Sequence, residues 1–155
     1  MTYTPADLPD HVGEELMCSD WVELTVDDEK AFGEATFYRE DFLGRTSSNG
    51  DPYGERLISG FLLLSMLVAL HKRHLDLDLG GAYGLNYGLD RVRFLRPVLA
   101  GDRVRLRVEL IEAHEKSPGR MRVLTRNVLH VEGADEPAMV ADWITLFIDP
   151  ETDDA

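Results

Sequence analysis

The sequence predicts an α+β fold in which a sheet wraps one central helix. From Leu57 to Arg73 the chain is apolar on nearly every face, the pattern of a helix buried on most sides. Downstream, Gly88 to Phe94, Arg103 to Glu115, Arg120 to Glu132 and Ala138 to Ile148 read as β-type runs. Pro97, Gly101-Asp102, Ser117-Pro118-Gly119 and Gly133-Ala134-Asp135 punctuate those runs as turns. Strands gathered after one buried helix form a sheet laid on that helix.

Taken in chain order, Met1 to Val12 is a polar, proline-containing lead without periodicity, and Glu151 to Ala155 is an acidic tail; both are expected to be loose. Trp21 to Val26 alternates as a strand does. Asp27, Asp28 and Glu29 then gather where a helix dipole favours negative charge, with Asp27 as the expected cap of a short helix. Gly44 to Gly54 is dense in turn formers and reads as a long loop, a place where function or mobility concentrates. The central helix ends on His71-Lys72-Arg73-His74, whose charge complements a helix C-terminus and whose histidines are expected at the surface. Gly80, Gly81 and Gly84 follow a helix, not a strand, so they make a turn instead of a phosphate loop.

Composition limits the function classes. The 155 residues, 44% apolar and 29% charged, fit one globular domain over 1–155 with an ordered core of about 12–148. The longest apolar run, Leu57 to Leu70, is interrupted by Ser59, Gly60 and Ser65, and no membrane role is expected. The acidic N-terminus lacks the features of an export signal, and a lone Cys18, read as a buried small residue, fits a cytoplasmic setting. A net charge of −13 argues against nucleic acid. Against that background Arg91, Arg93, Arg96, Arg103, Arg105 and Arg107 form a local basic stripe, either the solvated face of strands or a rim that meets an anionic ligand. The five histidines, His11, His71, His74, His114 and His130, are scattered, so no metal and no cofactor is expected.

The stretch Asn86-Tyr87-Gly88-Leu89-Asp90-Arg91-Val92-Arg93-Phe94-Leu95-Arg96-Pro97-Val98 through Gly101 and Val104 resembles the NYGL-(N/D)-(K/R)-VRF-xx-PV-xx-G-xxV signature of MaoC-like and NodN-like enoyl-CoA hydratases. Upstream, Asp51 to Phe61 is similar to that family's SPFGGTIAHGF at the start of its central helix, and the resemblance extends from about Val12 to Ile148. It implies a hot-dog fold, an antiparallel sheet around one long central helix, which pairs with a second copy or another hot-dog subunit. It also implies a ligand: an acyl-CoA or acyl-carrier thioester, threaded in by its pantetheine arm. In the family an Asp and a His handle the water that is added to or removed from the double bond, while an N–H at the helix start polarises the thioester.

With Ala35-Thr36 aligned to the family's AT-G-D-x4-H, the Asp falls on Tyr38, the His on Leu43 and the Gly on Phe37; the helix-start His is Ser59, and Gly60 is kept. No histidine stands between His11 and His71 to restore the pair. The resemblance thus implies Tyr38, Asp41, Ser59 and Gly60 as candidate catalytic groups, with Glu40 a further carboxylate. Glu55, Tyr87, Gly88, Arg91 and Arg93 are the candidate substrate-binding groups. Three functions remain open. One is a hydratase or dehydratase working with these groups, another a non-catalytic pocket-shaping subunit of a hetero-oligomer, and the last a binding protein without acyl chemistry. For each residue a plainer role exists, such as Ser59 merely capping the helix.

Overall fold

The computed structural model describes residues 1–38 and 52–152. Strands β1 (Glu15–Cys18) and β2 (Val22–Glu23) precede helix α1 (Val26–Ala35). A short β3 (Leu57–Ile58) leads into helix α2 (Gly60–His74), and β4 (Tyr83–Phe94), β5 (Val98–Leu99), β6 (Arg103–Ser117), β7 (Arg120–Val131) and β8 (Met139–Ile148) follow. The antiparallel sheet runs β1–β6–β7–β8–β4, with β2 also on β6, and β3 pairs with β5 as a separate ribbon. The α+β expectation therefore holds, and each long strand lies within a few residues of its predicted run.

Alternation along β6, β7 and β8 sets the core. Val104, Leu106, Val108, Leu129, Val131, Met139 and Ala141 face the helix and are buried against its Leu63, Leu67 and Leu70. The helix is not covered on every side, since Phe61 is 70% and Val68 37% exposed. A second cluster closes the far end of the sheet with Tyr3, Leu8, Leu16, Leu110 and Val123. This corrects the expectation of a loose N-terminal lead. Tyr3 bridges to Leu77, its N–H donating to the Asp76 carbonyl at 2.8 Å, because the lead carries two large apolar side chains able to fill that end.

Other local expectations also need correction. The cap of α1 is Thr25, not Asp27: the Thr25 hydroxyl accepts the Asp28 N–H at 3.2 Å, and the Asp28 carboxylate accepts the Thr25 N–H at 2.8 Å. That reciprocal box satisfies two amide donors at once, which Asp27, already inside the first turn, does not. The predicted strand Trp21 to Val26 shortens to β2, since α1 begins at Val26. Cys18 is exposed, not buried.

His71 departs furthest from its expected surface position. It lies against the sheet, edge-on to Trp143 with ring centroids 4.8 Å apart, and its Nε2 is 2.6 Å from Asn127 Oδ1. The Asn127 amide nitrogen donates to the Thr125 carbonyl at 3.1 Å, which turns its oxygen toward His71 and requires the proton on Nε2. Burial holds the imidazole below its ordinary value, opposed in part by the Asn127 bond. The unfolded chain therefore takes up a proton near pH 6.5 that the folded chain refuses, so stability is lost as pH falls through that point. Urea melts from pH 7.5 to 5.5 are expected to show a decline approaching about 1.4 kcal/mol per pH unit from this group. His130 is also shifted down by burial and by Arg107 and Arg105, so the comparison that isolates His71 is His71→Leu. An unchanged slope in that variant refutes the assignment.

Candidate functional site

The β3–β5 ribbon pairs Ile58 with Val98 and so fixes where the chain turns into α2. Ser59 caps the helix, its Oγ accepting the Leu62 N–H at 3.2 Å. Its own N–H donates to Glu29 Oε2 at 2.9 Å, a contact that reaches from α1 across thirty residues of sequence. Among the described residues the next two amides, Gly60 and Phe61, have no hydrogen-bond partner. Two unspent N–H groups at the positive end of a 15-residue helix form a donor pair for a carbonyl or an anion. A Cβ on Gly60 would stand 2.8 Å from the Phe94 ring, so any side chain here must displace that ring. Phe61 and Phe94, with centroids 6.3 Å apart, make an exposed aromatic wall beside the amides.

Tyr38 follows the C-terminal end of α1 and closes back onto it. Phe37 adopts φ 63°, the left-handed region that favours glycine, and this reversal folds the chain back so that the Tyr38 N–H donates to the Gly33 carbonyl at 2.8 Å. A methyl group at Gly33 would lie 3.3 Å from the Tyr38 carbonyl oxygen. Glu29 and Gly33 are one turn apart on one face of α1, so that helix joins Tyr38 at its end to the start of α2 at its middle. Asp41, with Glu40 and Leu43, lies outside the described residues. Glu55 is exposed on the 3₁₀ turn Gly54–Arg56, just before β3.

The candidate residues of β4 stand elsewhere. Phe94 is the end of β4 that touches Gly60, and Tyr87 lies about 20 Å up the strand at roughly 3.3 Å per residue. Lys116 donates to the Tyr87 hydroxyl at 2.5 Å and lies over its ring, and that bond followed by the lysine charge draws the phenol below its ordinary value. Gly88 follows a bulge and sits opposite Ile144. Strand alternation would put Arg91 and Arg93 side by side as a phosphate pair, but a second bulge between Asp90 and Arg93 breaks the period. Arg91, at φ 51°, leans toward Asp142 with Nε 3.9 Å from Oδ2, while Arg93 donates to the Val92 carbonyl at 2.7 Å. Farther along the stripe, Arg103 pairs with Glu132 and Arg107 with Glu15, and Arg105 stacks 4.5 Å over Trp21. Arg103 and Arg107 match the solvated-strand reading, whereas Arg105 is half-buried and its Nε has no acceptor among the described residues.

One chain thus brings Ser59 and Gly60 together at the start of α2, ties α1 to them through Glu29, and leaves Tyr87 and Gly88 on a separate stretch of sheet. Glu29 is the site residue that sequence reasoning passed over. Its acidic type at a helix start was explained by the dipole of α1, and nothing in the pattern pointed across to Ser59.

No protein-family model matches the chain. It is 34% identical to Nodulation protein N of Rhizobium leguminosarum bv. viciae over 145 residues, 92% of this chain and 89% of that one. It is 31% identical to 3-hydroxyacyl-thioester dehydratase Z of Mycobacterium tuberculosis over 144 residues, 92% and 95% of the two chains. Among solved structures, a monoamine oxidase regulatory protein from Archaeoglobus superposes with TM-score 0.70 at 21% identity, over 90% of this chain and 92% of that one. A MaoC-like dehydratase from Rhodospirillum rubrum gives 0.64 at 15% over 90% and 94%. The HadBC (3R)-hydroxyacyl-ACP dehydratase complex of Mycobacterium tuberculosis gives 0.55 at 21% over 89% and 97%. The shared architecture is the hot-dog fold.

Proposed function

Since this chain belongs to the MaoC-like family of acyl-thioester hydratases and dehydratases, we propose that the start of α2 holds the thioester carbonyl of an acyl-CoA or acyl-carrier ligand, its oxygen accepting from the Gly60 and Phe61 N–H groups. The observation that carries this reading is the pair of unspent amides beneath Phe94. Such donors gain strength as negative charge grows on the carbonyl oxygen during water addition or loss, so they serve chemistry as well as binding. Tyr38 is the proposed proton-handling side chain, and Asp41 is the carboxylate proposed to act with it. The alignment by resemblance that sets Tyr38 and Leu43 against the family's Asp and His supports a second reading: a pocket-shaping subunit that works beside a dyad-bearing hot-dog partner. Similarity to a hetero-oligomeric dehydratase complex supports the same reading. A cytoplasmic setting is part of the proposal; no helix of the described residues is long and apolar enough to cross a membrane.

The proposal includes a dimer built along β4. Among the described residues this strand pairs only with β8, and its Tyr83, Leu85, Tyr87, Leu89 and Phe94 are 44–49% exposed. A long apolar edge of this kind is a template for another strand. Antiparallel pairing of β4 with its own copy is isologous, as two-fold symmetry requires. In that arrangement Tyr87, Gly88 and Arg93 belong to a pocket completed by the second subunit.

Calorimetry with a non-hydrolysable acyl-CoA is expected to show binding that weakens from low to moderate salt, through the nucleotide phosphates. Loss of the enoyl absorbance of crotonyl-CoA tests for water addition, and Tyr38→Asp with Leu43→His is expected to raise it by about 10²-fold or more. Binding without that gain favours the pocket-shaping subunit. Absence of binding defeats both thioester readings.

A further inference from the structure

We infer that Glu29 is a positioning residue for thioester recognition, its carboxylate holding the Ser59 N–H so that Gly60 and Phe61 alone present donors to the ligand. This rests on reading the start of α2 as the thioester site. An uncapped helix start exposes several N–H groups, and a carbonyl oxygen can then settle on more than one of them. Here the set is divided. Glu29 takes Ser59 at 2.9 Å, the Ser59 hydroxyl takes Leu62 at 3.2 Å, and the two amides between remain.

Glu29 also governs distance. The cap of α1 holds its first turn through Thr25 and Asp28, and Glu29 is the next residue, so its side chain leaves a helix whose start is already fixed. One turn on, Gly33 receives the Tyr38 backbone at 2.8 Å. The contact from Glu29 to Ser59 therefore ties α1, onto whose Gly33 the Tyr38 backbone closes, to the amides that would hold the carbonyl. A half-buried carboxylate between two helix starts suits this role, since it also compensates the positive end of each.

The test compares Glu29→Ala and Glu29→Gln using two probes, a non-hydrolysable acyl-CoA and free CoA, which lacks the thioester carbonyl. Glu29→Ala is expected to weaken acyl-CoA about tenfold and leave free CoA unchanged, because only the carbonyl uses the positioned pair. Glu29→Gln is expected to bind acyl-CoA within about threefold of the parent, since its amide oxygen still accepts the Ser59 N–H. Equal weakening of both probes by Glu29→Ala, or equal loss in both variants, overturns the inference. If Glu29→Ala does not fold, Glu29→Asp replaces it. That variant withdraws the carboxylate by one methylene, and parental acyl-CoA affinity with it overturns the inference. A parent that binds acyl-CoA no better than CoA defeats the thioester reading itself, before any variant is made.

Discussion

Asp142→Ala is expected to destabilise the fold by about 2–4 kcal/mol, read as a lower urea midpoint at unchanged slope. The Asp142 side chain is 4% exposed in the middle of β8 and receives Arg126 Nε and Nη2 at 2.9 and 3.0 Å, with Arg91 leaning in from the neighbouring strand. Its carboxylate draws the Arg126 guanidinium further toward the protonated state. Removing it leaves that cation beside a vacated, desolvated position. The figure stays below the cost of a fully buried orphan charge because Arg126 is 34% exposed and can turn to water. Replacing both partners, Asp142→Leu with Arg126→Met, is expected to recover most of the loss, since two desolvation costs disappear together. An Asp142→Ala protein as stable as the parent shows that the pair contributes nothing.

Leu85→Lys combined with Leu89→Lys is expected to convert the proposed dimer to monomer by light scattering at micromolar concentration. Each copy loses two leucines and gains two cations at a surface that meets the same cations of the other copy. With about 1.5–3 kcal/mol for each leucine fully buried, a partial share of that from four side chains already raises the dissociation constant by more than about 100-fold. The single chain is expected to stay folded, because both leucines are exposed on the edge strand and outside the two core clusters. A parent that is itself monomeric ends the proposal, and a dimeric double variant moves the interface away from β4.

The long elements were legible in the sequence because their signals are local. Leu63, Leu67 and Leu70 fall on one face of a helix whatever packs there, and Val104, Leu106 and Val108 alternate whichever strand lies beside them. Gly60 was legible through its neighbours in a long motif. The rest depends on contacts between distant residues. His71 looked like a surface group because a cationic last turn explains itself, yet its environment is set by Asn127 and Trp143 on two later strands. Arg91 and Arg93 looked like a pair because period two was assumed through Asp90–Arg93, where a bulge adds a residue. Tyr3 and Leu8 were too few to show a pattern, and their burial follows from the vacancy at the end of the sheet that they fill.

Strand order also governs how the protein emerges during synthesis. Glu15 of β1 pairs with Glu109 of β6, and Tyr83 at the start of β4 pairs with Ile148 at the end of β8. β1 therefore waits for about 90 further residues before its partner exists, roughly 5–20 s at the pace of a ribosome. The apolar face of α2 is completed later in synthesis, since Met139 and Ala141 are among the last residues to cover it. For that interval the nascent chain carries an incompletely covered helix and unpaired strands, the kind of exposed apolar surface that chaperones shield, and a premature stop before β8 leaves α2 without Ala138, Met139 and Ala141 to cover it.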